Sequence, residues 1–166
     1  VVSAGNSGDG TDPGIDPNQP DPFPQDLVPF GNGRLIIVGS NDANGDFSDF
    51  SNRAGDFGDI YITARGERLC CVYENGQLLV EGGFVTLFSG TSFSAPQVAG
   101  AVALIAQAFP NLSTAQIVDL LLDTARDAGA AGNDRIFGAG ILDLREAFSP
   151  QGTTTLAGST SALALG

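Results

Sequence analysis

The sequence predicts an α/β domain built on a parallel sheet, and three observations carry that prediction. Leu35-Ile36-Ile37-Val38 is an unbroken apolar run, as expected of a strand buried on both faces. Between Ser92 and Phe109, apolar residues recur at helical spacing and small or apolar residues fill most other positions, which marks a helix buried nearly all round. Strands interspersed with such helices are the pattern of a sheet covered on both sides. A chain of 166 residues is one domain's worth, long enough for a single hydrophobic core.

Val1-Val2-Ser3-Ala4-Gly5 reads as the end of a buried strand with no methionine or polar lead-in, which gives the expectation of a fragment. Residues 7–33 are rich in Gly, Pro, Asp and Asn, and proline biases its predecessor away from helix, so a long surface loop is expected here. Its carboxylates have the chemistry to hold calcium, but their spacing fits no compact ligand loop, and no metal or other cofactor is assigned. The run from Leu35 ends at Gly39, a turn follows over residues 41–46, and Asp59 to Ala64 forms a second strand. Asn75-Gly76 lies between Leu69–Tyr73 and Gln77–Val80, the pattern of a hairpin. Cys70 and Cys71 are neighbours and cannot staple distant parts of the chain; they read as two thiols partly buried in a strand. Pro110 stops the first long helix, and Ser113-Thr114-Ala115-Gln116 is a capping box opening a second helix to about Arg126. Residues 139–148 lead into a short amphipathic turn, and residues 149–166 read as a linker or tail.

Seven basic and nineteen acidic side chains leave a net charge of −12. That excludes phosphate-neutralising nucleic-acid binding and disfavours anionic membrane surfaces. No apolar run reaches the roughly 18–20 residues of a membrane span. The chain contains no histidine, so any mechanism needing an imidazole base must take it from elsewhere.

Gly90-Thr91-Ser92 directly precedes the first long helix. A serine there sits where unpaired N–H groups and the helix dipole favour developing negative charge, and a flanking glycine allows close backbone approach. Taken by position alone, Ser92 reads first as an N-cap.

The longer string Gly90-Thr91-Ser92-Phe93-Ser94-Ala95-Pro96-Gln97-Val98-Ala99-Gly100 resembles the nucleophile signature of the subtilisin-like serine proteases. It departs from that signature at Phe93, where Met is usual, and at Gln97, where His is usual. Val1 to Gly8 resembles the segment carrying the family's oxyanion-hole asparagine, here Asn6. The Ile37 to Asp42 strand, the Phe50-Ser51-Asn52 turn and Phe137 to Asp143 resemble further family segments. The resemblance covers about residues 1–148 and implies a C-terminal part of the catalytic domain. The fold it implies is part of a subtilisin-like parallel sheet with flanking helices, its N-terminal half absent. It implies Ser92 as nucleophile, Asn6 and the Ser92 backbone N–H as oxyanion donors, and Ser3, Ala4 and Gly5 as one wall of the pocket for the side chain before the scissile bond. In this family the acid and the histidine of the triad precede the asparagine, so both lie outside this chain.

The resemblance therefore implies a serine endopeptidase acting on protein or peptide substrates, inert as the isolated chain and needing the missing N-terminal half as its partner. The isolated chain is further expected to fold poorly. The alternative is a non-catalytic pseudoenzyme or binding module of a surface protein. An unrelated acyl hydrolase is disfavoured because Gly-x-Ser-x-Gly is absent around Ser92. The tail from Ser149 is similar to the segment that follows subtilase passengers in bacterial autotransporters, which implies a secreted or bacterial cell-surface location.

Overall fold

The computed structural model describes residues 1–149, 153–155 and 162–164. Its centre is a three-stranded parallel sheet in the order β1 (Val2–Ser3), β2 (Ile37–Asn41), β3 (Tyr61–Arg65). Val2 pairs with Ile37, and Ile37 with Tyr61, so the strands start at one level. The apolar run predicts β2, but pairing carries the strand on through Gly39 to Asn41, because β3 supplies hydrogen-bond partners along that whole length. Gly39 is required there: a Cβ would strike the Tyr61 hydroxyl. β3 begins at Tyr61, two residues later than the sequence pattern predicts, because Asp59 and Ile60 belong to a 3-10 segment over Gly55–Ile60.

Side-chain alternation along the strands divides the core in two. Ile36, Val38, Ile62 and Ala64 point to one face, where Val98, Ala101, Ile105, Ile117, Val118 and Leu121 meet them. Ile37 and Tyr61 point to the other, against Ala4 and Ala54. The helices on the first face are α2 (Thr91–Ala108) and α3 (Thr114–Asp123), with the short α4 (Leu144–Ala147) beside them. The far edge of β3 is covered by residues 139–142, whose backbone bonds with Tyr61 and Thr63 extend the sheet in parallel sense.

The predicted capping box is present: Ser113 accepts from the Gln116 N–H, and the Gln116 side chain accepts from the Ser113 N–H at 2.9 Å. The helix it opens ends at Asp123, short of Arg126, whose N–H is instead bonded to the Ile141 carbonyl. The long loop of residues 7–33 contains a short helix, α1 (Pro22–Leu27), and a 3-10 turn over Val28–Phe30. Pro22 explains the start, since proline at the first helical position loses an N–H that would be unpaired anyway.

α2 differs from expectation. Only the stripe Thr91, Ser94, Val98, Ala101 and Ile105 is buried, whereas Leu104 beside it is half exposed. A single layer lies against the sheet, so one stripe at helical spacing meets it and the remaining small and apolar positions stay open.

Residues 69–88 form short antiparallel ladders; the hairpin turns at Asn75 and Gly76, both at positive φ, but pairs only Tyr73–Glu74 with Gln77–Leu78, while Leu69–Cys70 pairs with Leu87–Phe88 and Val80–Glu81 with Phe84–Val85. Cys70 closes the short strand over Leu69–Cys70 and is exposed, whereas Cys71 lies beyond it and is half-buried. The predicted linker lies largely outside the described residues; within it, Thr153–Thr155 and Ala162–Ala164 pair antiparallel.

Candidate active site

Two chain segments far apart in sequence meet at the C-terminal end of β1 and the N-terminal end of α2. Asn6 follows β1 and is exposed; Ser92 is the second residue of α2 and is exposed beside it. Gly90 occupies the cap position of α2 and Ser92 stands inside the helix, so the Ser92 hydroxyl is not spent as an N-cap. Its N–H lies in the first turn, where no helical carbonyl is available to it.

The Asn6 amide is oriented by Thr91. Its Oδ1 accepts from the Thr91 N–H at 2.9 Å and from the Thr91 hydroxyl at 3.0 Å. A backbone N–H can only donate, so the atom facing it is the oxygen and Nδ2 is turned the other way. A Cβ placed on Gly90 would lie 3.3 Å from Ser92 Oγ and 3.7 Å from Asn6 Nδ2. The hydroxyl and the amide donor therefore border one small space that glycine leaves open.

The segment carrying Asn6 is held from both sides. Ala4 N–H donates to the Val38 carbonyl at 2.8 Å, and Gly5 N–H to the Thr91 hydroxyl at 3.3 Å. Asn52, fully buried, accepts from Ser7 N–H at 2.7 Å and donates to the Gln19 carbonyl at 2.9 Å, while its own N–H donates to the Gly5 carbonyl at 3.2 Å. The Phe50-Ser51-Asn52 turn is thus a clamp on the Asn6 loop. Gly8 packs so closely on this turn that a Cβ would strike the Ser51 carbonyl.

The start of α2 is fixed in the same way. Gly90 N–H donates to the Gly66 carbonyl at 2.8 Å, and Gly66 N–H to the Asn41 carbonyl at 3.1 Å, tying the helix to the ends of β3 and β2. Gln97, which stands where the family usually has histidine, donates from Nε2 to the carbonyls of Arg65 and Phe93 and so keeps that tie. Phe93 stacks against Phe88 with ring centroids 5.8 Å apart.

The structure brings Ser92, Asn6 and the Ser3–Gly5 strand end together. Sequence reading missed two residues here. Thr91 is fully buried and sets the Asn6 amide; its place between Gly90 and Ser92 was the available signal. Asp21 rests its carboxylate on the Cα of Gly5, a contact no local pattern announces. Among the described residues, no three Cys, Asp or Glu side chains gather so as to hold a metal ion, and no helix is long and apolar enough to cross a membrane.

An α/β sheet that presents a serine at a helix N-terminus beside an oriented amide donor is the arrangement of serine-nucleophile hydrolases. The family model described as the Subtilase family, Peptidase_S8, matches residues 1–140, and the chain belongs to that family. An extracellular serine protease of Serratia marcescens is 32% identical over 165 residues, covering 90% of this chain and 15% of that protein. The Neisserial autotransporter lipoprotein NalP of Neisseria meningitidis serogroup B is 48% identical over 61 residues, 37% of this chain and 6% of that protein. The crystal structure of MycP1 from Mycobacterium smegmatis superposes with a TM-score of 0.65 at 30% identity, over 91% of this chain and 42% of that one. The chain thus spans less than half the length of each.

Proposed function

We propose that this chain carries the nucleophile and the oxyanion site of a subtilisin-like serine endopeptidase, with the triad acid and histidine supplied from outside these residues. The observation that carries the reading is the space bordered by Ser92 Oγ and Asn6 Nδ2 at Gly90. Ser92 Oγ attacks the scissile carbonyl carbon while its proton passes to the imidazole. The carbonyl oxygen becomes an oxyanion, held by Asn6 Nδ2 and the Ser92 N–H. The carbon–nitrogen bond then breaks, the amine leaves with the proton, and water hydrolyses the Ser92 ester. The extracellular Serratia protease and the Neisseria autotransporter support a secreted or cell-surface location.

A non-catalytic module is the second reading: no imidazole is available to Ser92 from within these residues. Without a base, Ser92 is an ordinary alcohol. A serine-directed fluorophosphonate probe, with peptide mass spectrometry to locate it, separates the two. Labelling of Ser92 in the complete domain and not in this chain alone is the expected result. No labelling in a folded complete domain would overturn the endopeptidase reading.

A further inference from the structure

We propose that Asp21 is a specificity-determining residue that directs cleavage to bonds following a basic side chain, lysine or arginine. The inference rests on the endopeptidase reading and names its substrate class. The Asp21 carboxylate packs on the Cα of Gly5, at a position where any side chain on residue 5 would collide with it. Gly5 adjoins Asn6, and under that reading Ser3, Ala4 and Gly5 form the wall along which the side chain before the scissile bond enters. The Asp21 N–H donates to the Ala4 carbonyl at 2.7 Å, which fixes the residue against that wall.

Nothing within the described residues accounts for this carboxylate. Its Oδ1 is buried without a hydrogen-bond partner. Asp21 holds the cap position of α1, yet its side chain makes no capping bond. Among the described residues the single ion pair is Arg135 with Asp56, so none of the chain's own cations serves Asp21. Burial, with the charge of Asp12 added, pushes its carboxyl above the ordinary value of 3.8. A buried acceptor with no donor and a second negative charge nearby together ask for a cation that donates hydrogen bonds, which is the chemistry of an ammonium or guanidinium group. A peptide substrate brings such a group on a long stem to the wall beside Asn6.

The test uses the complete domain and matched fluorogenic peptides that differ only in having Arg, Lys, Leu or Phe before the scissile bond. Wild type is expected to favour Arg and Lys over Leu in kcat/KM by about 100-fold, and Asp21→Asn to bring that ratio close to one. Fluorophosphonate labelling of Ser92 at the wild-type rate in Asp21→Asn and Asp21→Ser shows that the variants are folded. An unchanged ratio in variants that label, or wild type cleaving the Leu peptide as well as the Lys peptide, overturns the role of Asp21 alone. Absence of labelling in folded wild type overturns the endopeptidase reading and this one with it.

Discussion

Thr91 shows how much of a site can depend on a residue that touches no substrate. Its N–H and hydroxyl both hold the Asn6 oxygen, and its hydroxyl also approaches the Gly5 carbonyl at 3.3 Å. Under the proposed mechanism, Asn6→Ala removes a donor that in subtilisin itself contributes about 2.7–4 kcal/mol, so kcat of the complete domain should fall by about 10²–10³ with KM little altered. Thr91→Val keeps the N–H bond and loses the hydroxyl. It should lower kcat less than Asn6→Ala and cost about 1–2 kcal/mol of stability, read from denaturant unfolding, because buried acceptors lose their partner. A Thr91→Val enzyme with unchanged kcat would show that the backbone bond alone orients the amide. Asn6 and Ser92 were open to proposal from the sequence because the strings around them resemble segments of the family. The roles of Thr91 and Asp21 were not, since both depend on contacts between segments distant in sequence.

At the scale of elements, legibility followed local chemistry. Ser113 and Gln116 announce the start of α3 because both halves of a capping box lie within one turn. Asn75-Gly76 announces its hairpin because both residues tolerate positive φ. Ser113→Ala should therefore cost about 1 kcal/mol, seen as a lower denaturation midpoint with an unchanged slope. What escaped were boundaries set by partners. β2 runs past Gly39 because β3 continues beside it. α3 stops at Asp123 because Thr124 caps it, donating its N–H and its hydroxyl to the Leu120 carbonyl, and Arg126 pairs with Ile141 instead. α2 misled for the opposite reason. A helix apolar on every side looks fully buried in sequence, yet periodicity does not state how many layers lie around it.

Across the whole molecule, acidic groups outnumber basic ones and their environments pull in opposite directions. Asp56, hydrogen-bonded to Arg135 and Gln19, and Asp9, bonded to Thr11, titrate below the ordinary 3.8. These carboxylates contribute stability above that value and lose it as the pH falls below it through their lower folded values. Asp21 is raised by burial, so the folded state holds its proton more readily; its contribution is present in acid and is lost as the pH rises through its folded value. Acidification from about pH 6 to about pH 3 should lower the Tm of the complete domain. Asp21→Asn should raise Tm near neutrality and lose that advantage at about pH 3, as scanning calorimetry would record. The ladders of residues 69–88 have a further consequence for this architecture. They leave the sheet after Gly66 and return at Gly90, and one backbone bond of 2.8 Å joins those two residues. The excursion is therefore a side branch whose two feet stand together. Its length can change for about 0.6 kcal/mol per doubling, so related chains are free to carry very different ornaments beside the same unmoved serine.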